Sequence, residues 1–348
     1  MGQFRKKIAV MSALAVLAVS GATGCAGSGN DAVVATVGDE DITLGVANFY
    51  TRMQQAQFEG YSSMMGTTPE EMWAQEIDGD KTYEESMKED ILTTLEDMYL
   101  YSQHAEEYDV KLTEEDQAAI KKAVGIFDED NSLEDKELVS GEKENVEKVL
   151  ELMTIQSRME EKMTEDVDTE VSDEEAAQKS MQYVLFSYMT TDESGNSVVL
   201  SDEEQEALKQ EAQDFADTLN ADEARDIETA ASNAGLEVQT ATFDSESTSP
   251  NADLIQAVDA LEKEGDITEP IETDGGVYVA KLTSLLDRDA TDAKKTSIVE
   301  ERKQEQIDSL LEKWRDDTEI KVHKRVWKKV DFKDVGVTIK ESEEEYTE

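Results

Sequence analysis

The sequence contains very little cysteine, histidine and proline. Its 348 residues include one Cys, two His and three Pro. One Cys excludes an internal disulfide, and two His far apart, His104 and His323, supply no set of zinc ligands. No nucleophile elbow, His pair or phosphate loop is present, so nothing indicates a hydrolase or a metal enzyme. With three Pro and 18 Gly, the composition favours long helices over a disordered or fibrous chain. We expect no metal and no cofactor.

Positive charge is also scarce. The chain has 33 Lys and Arg against 83 Asp and Glu, a net charge of −50. This excludes nucleic acid as a partner, because phosphate binding needs a concentrated positive field. One basic cluster lies between Lys321 and Lys333. It is interpreted as a solvated strand face that discourages edge pairing, with contact to anionic lipid as the alternative.

Residues 1–24 have the pattern of a signal peptide. Three basic residues at 5–7 precede an apolar run, residues 8–20, that is too short for a comfortable membrane span. The sequence Ala22-Thr23-Gly24-Cys25 resembles a bacterial lipobox, with Ala22 where Leu is usual. The resemblance implies a lipid on Cys25, a tether at 25–30 and a position on the outer face of the cell membrane. Ordinary secretion with an incidental Cys is the alternative.

Residues 31–170 are predicted to form a helical domain that begins with a strand. Three Val between positions 33 and 37 and a Gly38-Asp39 turn signal predict the strand. Thr68 and Thr113 are predicted helix caps, and the apolar spacing between Tyr83 and Tyr108 predicts a buried helix face. The long charged helix predicted at residues 291–316 is followed by a strand-like run that ends near Phe332.

Residues 178–287 are predicted to form an α/β module. Strands are predicted at 181–188, 237–243 and 276–285, with helices after Ser201 and Asp222 and a short helix capped by Asn251 or Ser249. The end of this module resembles a parvulin-type peptidyl-prolyl isomerase domain. The resemblance is carried by Leu254, Ala257, Leu261, Gly265, Ile267, Pro270, Ile271, Thr273, Gly276, Lys281 and Leu282.

The start of the mature chain, up to Thr43, resembles the N-terminal region of the SurA-like and PrsA-like extracytoplasmic foldases. The resemblance covers most of residues 31–330 and is strongest at 85–117 and 250–285. It implies a mostly helical α+β fold. In this fold, residues 31–170 and 291–335 form one helical domain, the parvulin-like module is an insertion, and residues 336–348 form an acidic tail. It also predicts that the strand beginning at Ile320 pairs with residues 33–37.

The family has two histidines on adjacent strands beneath an apolar proline groove. The resemblance places these histidine positions at Gln182 and Tyr278, which we predict to form a hydrogen-bonded pair, and the groove at Phe243, Leu254 and Leu261. It implies a membrane-anchored folding factor that binds unfolded exported polypeptides, with weak isomerase activity or none. The alternative is a non-catalytic substrate-binding or adaptor lipoprotein that keeps the fold. The sequence leaves the oligomeric state undetermined.

Overall fold

The computed structural model describes residues 15–19, 29–64, 66–79, 81–192, 194–332 and 336–340. The chain divides into two compact units. Residues 1–166 and 304–348 form the first, here called the helical unit, and residues 167–303 form the second, the inserted unit. The predicted fold class is confirmed, because the chain is a mostly helical α+β protein in which the two ends share one unit around an α/β insertion.

The N-terminal part of the helical unit consists of short strands and longer helices. Four of these helices, which start at residues 69, 83, 114 and 133, begin at capping boxes, in which a Thr or Ser hydroxyl and an acidic side chain three residues later satisfy two free backbone amides. The elements are β1 (Ala15–Val19), β2 (Val33–Val37), β3 (Glu40–Thr43), α1 (Leu44–Met64), α2 (Pro69–Ala74), β4 (Glu76–Asp78), β5 (Lys81–Thr82), α3 (Tyr83–His104), α4 (Glu114–Asp130), α5 (Leu133–Val139) and α6 (Lys143–Met163).

The inserted unit has two helices on one face of a sheet and one on the other. Its second helix begins later than predicted, because Asp226 rather than Asp222 is the N-cap. The elements are β6 (Lys179–Ser187), β7 (Met189–Thr191), β8 (Ser197–Val199), α7 (Asp202–Ala221), α8 (Ile227–Ala234), β9 (Gln239–Phe243), α9 (Ala252–Asp259), β10 (Ile271–Thr273) and β11 (Gly276–Ser284).

The C-terminal part of the chain completes the helical unit. It contains the end of α10 (Arg288–Asp317), then β12 (Ile320–Val322), α11 (Lys324–Trp327) and β13 (Gly336–Lys340). The predicted pairing of the two chain ends is present: Ile320 pairs with Val37, and Val322 with Ala35. The predicted strand through Phe332 is wrong beyond Val322, because residues 324–327 form a helical turn that buries Trp327.

Two predicted segments at the ends of the helical unit differ in part from the structure. Asn30, at the end of the predicted tether, bonds to Glu142 and Ser140. Strand β1 lies within the predicted signal peptide and pairs with β13. Strand β13 begins the predicted acidic tail, and its Val337 is fully buried. Residues 341–348 and Cys25 lie outside the described residues. Among the residues that are described, no helix combines the length and apolar content needed to cross a bilayer.

The core of the helical unit joins helices α1, α3 and α6 to the C-terminal segment. Val34, Ile42, Leu95 and Trp314 belong to it. The indole of Trp314 stacks on the His104 ring at a centroid distance of 4.2 Å. His104, to which the sequence assigned no chemistry, therefore has a packing role.

A partly buried ion cluster fastens the end of α10 to α3. The Arg315 guanidinium donates to Asp97 (Nε to Oδ1, 2.7 Å), to Glu96 (NH1 to Oε2, 3.0 Å) and to the Thr93 carbonyl oxygen (NH2, 2.7 Å). Burial raises the pKa of Asp97 to about 6, because loss of hydration outweighs attraction to Arg315.

The raised pKa of Asp97 predicts a pH-dependent stability. The folded chain holds this proton more tightly than the unfolded chain, so the stabilisation is complete below about pH 4 and is lost as pH rises through about 6. We expect the free energy of unfolding to gain about 1 kcal/mol from this group between pH 7 and pH 5. The measurement is urea unfolding followed by tryptophan fluorescence. Asp97→Asn should remove this gain, whereas Asn at the exposed Asp90 should keep it. An equal gain in all three proteins would contradict the assignment.

Candidate functional site

The sheet of the inserted unit has two distinct faces. Its strand order is β10-β11-β6-β9, and all neighbours are antiparallel. Alternate residues of a strand point to opposite faces. Val184 and Phe186 of β6 pack with Val277 and Val279 of β11 against α7 and α8. The alternate residues of β6 and β11 form the other face of the sheet, which α9 covers.

The predicted pair of Gln182 and Tyr278 is wrong. Gln182 lies opposite Lys281, and Tyr278 lies opposite Leu185. The two side chains also belong to different faces, since the Gln182 amide donates to Glu228 Oε1 on α8 at 2.9 Å, whereas Tyr278 packs in the α9-side cluster. The physical reason is the period of two residues in a strand, by which a shift of one position moves a side chain to the other face.

Tyr183 is the aromatic residue of β6 that shares a sheet face with Tyr278 and lies diagonally across from it. The two rings lie 5.9 Å apart, tilted by 56°, a separation at which aromatic pairs attract. The Tyr183 hydroxyl donates to Gln239 Oε1 on β9 at 2.5 Å. Burial raises the pKa of Tyr183, and the nearby Tyr278 adds to the shift. The phenol is therefore neutral at physiological pH.

The sequence contained only part of the signal for Tyr183. Tyr278, Ala280 and Leu282 alternate along β11, and Met181 and Tyr183 alternate along β6, all in the same cluster. This alternation separates Tyr183 from its neighbour Gln182, but the register between the two strands decides which of them shares a face with Tyr278.

The three predicted groove residues are brought together beside the tyrosines. Phe243, Leu254 and Leu261 belong to the same apolar cluster. Phe243 and Leu254 have no exposed surface, and Leu261 is partly buried. Asn251 caps α9 by accepting from the amides of Asp253 and Leu254, which fixes the position of Leu254. That these residues contact a peptide stays a prediction.

An open cleft of about 390 Å³ lies next to this cluster. Its wall includes three acidic side chains and one of the paired phenols. The lining residues are Asn251, Asp253, Glu272, Thr273, Asp274, Gly275 and Tyr278. A larger cleft of about 510 Å³ in the same unit surrounds Arg225 and Lys281, and none of the predicted site residues line it.

The smaller cleft offers hydrogen-bonding groups from Asn251, Thr273 and Tyr278 beside the three carboxylates. Among the described residues, no three His, Cys, Asp or Glu side chains are grouped so that they could hold a metal ion.

No family model matches this chain, and no curated protein matches it. Several solved structures do. A foldase protein (PrsA) from Lactococcus lactis has a TM-score of 0.32 and 14% identity, covering 85% of this chain and 96% of its own. A peptidylprolyl isomerase (PrsA) from Bacillus cereus has a TM-score of 0.31 and 17% identity, covering 74% and 97%. The SurA-like chaperones PEB4 and Cj1289 of Campylobacter jejuni are represented by a chain with a TM-score of 0.29 and 12% identity, covering 84% and 98%.

The similar structures carry the names of foldases and SurA-like chaperones. With identities no higher than 17% and TM-scores no higher than 0.32 among these three, the function of the present chain has to be inferred from its own residues and site.

Proposed function

We propose that this protein is an extracytoplasmic folding factor, anchored by a lipid on Cys25, that holds unfolded exported polypeptides through its inserted unit. The observation that carries the proposal is the Tyr183–Tyr278 pair, which lies on an apolar cluster beside an open cleft. We infer that Tyr183, rather than Gln182, takes the first of the two histidine positions of parvulin-type isomerases, beside Tyr278 at the second.

Tyrosines in place of the two histidines favour the binding of unfolded polypeptides over the isomerisation of X-Pro bonds. Aromatic side chains give a large apolar contact area and a hydrogen-bonding hydroxyl, which suits the binding of varied peptides. Rotation about an X-Pro bond has a barrier of roughly 18–20 kcal/mol. The Tyr183 and Tyr278 rings pack on each other, and the Tyr183 hydroxyl is already engaged with Gln239, which suits a surface that binds a peptide.

Aggregation of an unfolded protein, measured with the full chain, tests this role. We expect the chain to suppress aggregation. An X-Pro peptide should isomerise within about twofold of its uncatalysed rate, for which the time constant is tens to hundreds of seconds. Tyr278→Ala should weaken the binding of an unfolded polypeptide about tenfold, because it removes an aromatic contact at the cleft. Tyr61→Ala is the matched control, because Tyr61 is 67% exposed in the helical unit. It should leave the binding of the unfolded polypeptide unchanged.

Two outcomes would contradict the proposal. Rapid isomerisation would mean that the module is a working isomerase. Failure to suppress aggregation, together with equal binding by both tyrosine variants, would favour an adaptor lipoprotein that binds one specific partner.

A further inference from the structure

Residues Val330–Phe332 form a buried segment outside helix and strand. Val330 is 1% exposed and Phe332 is 2% exposed. Most buried backbone groups in proteins are satisfied by other backbone groups within helices and sheets. Here, side chains from α1 and α3 bind the backbone of this segment instead.

Four backbone groups of the segment bond to four different side chains. Lys88 Nζ donates to the Val330 carbonyl oxygen, Arg52 NH1 to that of Asp331 at 2.8 Å, and Gln55 Nε2 to that of Phe332 at 3.2 Å. The Phe332 amide donates to Glu84 Oε1 at 3.2 Å. These four hydrogen bonds recognise the main chain, while the Asp331 carboxylate adds attraction to Arg52 and Lys88.

An aromatic pocket receives the Phe332 ring. The ring meets the indole of Trp73 edge to face, with centroids 4.6 Å apart. Tyr83 also stacks on Trp73, with ring centroids 5.4 Å apart. Trp73 is 1% exposed, so the pocket selects for an aromatic or similarly large apolar side chain at this one position.

The groove has its own supporting hydrogen bonds. Arg52 NH1 donates to Gln55 Oε1 at 2.6 Å, Gln55 Nε2 to Glu59 Oε1 at 2.7 Å, and Trp73 Nε1 to Glu59 Oε1 at 2.9 Å. This chain of bonds joins α1 to α2 without using the bound segment. Arg52 Nε is buried with no hydrogen-bond partner among the described residues, so the groove retains a further donor.

We propose that the groove formed by α1, α2 and α3 is a second peptide-binding site, and that Val330–Phe332 is its exchangeable internal occupant. The ligand class is an extended polypeptide segment with one aromatic side chain, bound through its main chain. That such segments come from unfolded clients rests on the proposed function, whereas the binding property of the groove does not.

The test is binding of a fluorescent peptide with the sequence of residues 326–334 to the full chain. The internal segment competes with the peptide, and the apparent affinity scales with the fraction of molecules whose groove is open. Phe332→Ala weakens the internal occupant, so we expect the peptide to bind this variant at least tenfold more tightly than the unmodified chain. Val330→Ala is a second, milder way of weakening the occupant and should act in the same direction. Circular dichroism checks that both variants are folded.

Two controls separate the groove from other surfaces. Adding Trp73→Ala to the Phe332→Ala chain should abolish the gained binding, and a peptide with Ala in place of its Phe should not bind.

The proposal is overturned if hydrogen exchange shows an opened segment in both weakened variants and neither binds the peptide. It is also overturned if loss of Trp73 leaves the binding unchanged. Aggregation suppression, measured on the same variants, tests the client role separately.

Discussion

Replacing Gly276 with Ala is expected to destabilise the inserted unit by about 3 kcal/mol or more, through backbone strain and overpacking. Gly276 begins β11 with φ at 147°, a conformation that residues with a Cβ rarely adopt. An added Cβ would lie 2.3 Å from the Phe186 carbonyl oxygen and 3.0 Å from the Ser187 Cα. Both atoms belong to the backbone of β6, so the clash can be relieved only by moving the central strand pair.

The measurement is hydrogen exchange of the β6 and β11 amides, which should become much faster in the variant. The adjacent residue supplies the control, because a Cβ added at Gly275 meets no atom within 4 Å. The β6 and β11 amides of the Gly275→Ala variant should therefore exchange at the same rates as those of the unmodified chain. Since the strand pair carries Tyr183 and Tyr278, we also expect Gly276→Ala to lose polypeptide binding by the inserted unit. Protection of β6 and β11 equal to that of the control would show that the strands tolerate the Cβ.

Replacing Arg52 with Met is expected to destabilise the helical unit by about 3–5 kcal/mol, the usual effect of leaving a buried opposite charge uncompensated. Arg52 is 4% exposed, and its neighbours Glu59 and Glu84 are also buried. Burial lowers the pKa of Arg52 to about 10, while attraction to Asp331, Glu59 and Glu84 opposes the shift. The guanidinium is therefore charged at neutral pH, and its loss leaves acidic groups without their compensating charge.

The three tryptophans report this change directly, because Trp73, Trp314 and Trp327 all lie in the helical unit. The urea midpoint of tryptophan fluorescence should fall strongly in Arg52→Met. Arg325→Met is the matched control, since Arg325 is exposed and surface substitutions usually change stability by no more than about 0.5 kcal/mol. Arg52→Lys should be intermediate, because it keeps the charge and loses the planar fork. Equal midpoints for Arg52→Met and Arg325→Met would contradict the role given to Arg52.

Local signals predicted most of the elements. Thr68, Thr113 and Ser201 begin helices as expected, because a hydroxyl cap and an acidic residue three positions later act within one turn. The Gly38-Asp39 turn joins β2 to β3. The run after Val322 was less predictable, because the helical turn at residues 324–327 is short and its N-cap residue, His323, makes no side-chain cap hydrogen bond.

The candidate site was predicted in part. The sequence placed Tyr278, Leu254, Phe243 and Leu261 in one region, and they share one cluster. It selected Gln182 in place of Tyr183, because an isolated strand motif does not fix the face of a residue; the register with the partner strand does. The main-chain groove around Val330–Phe332 had no local sequence signal, because its parts are separated by up to 279 positions.

The sequence by itself determined the charge, the helix starts and the alternation of the central strands, since each depends on composition or on residues within a few positions of one another. Only the tertiary structure decided that Tyr183 shares a sheet face with Tyr278 and that side chains of α1 and α3 bind the backbone near the C-terminus. These arrangements depend on strand register and long-range packing, which bring together residues far apart in the chain, and their free energy comes from contacts that no short segment contains.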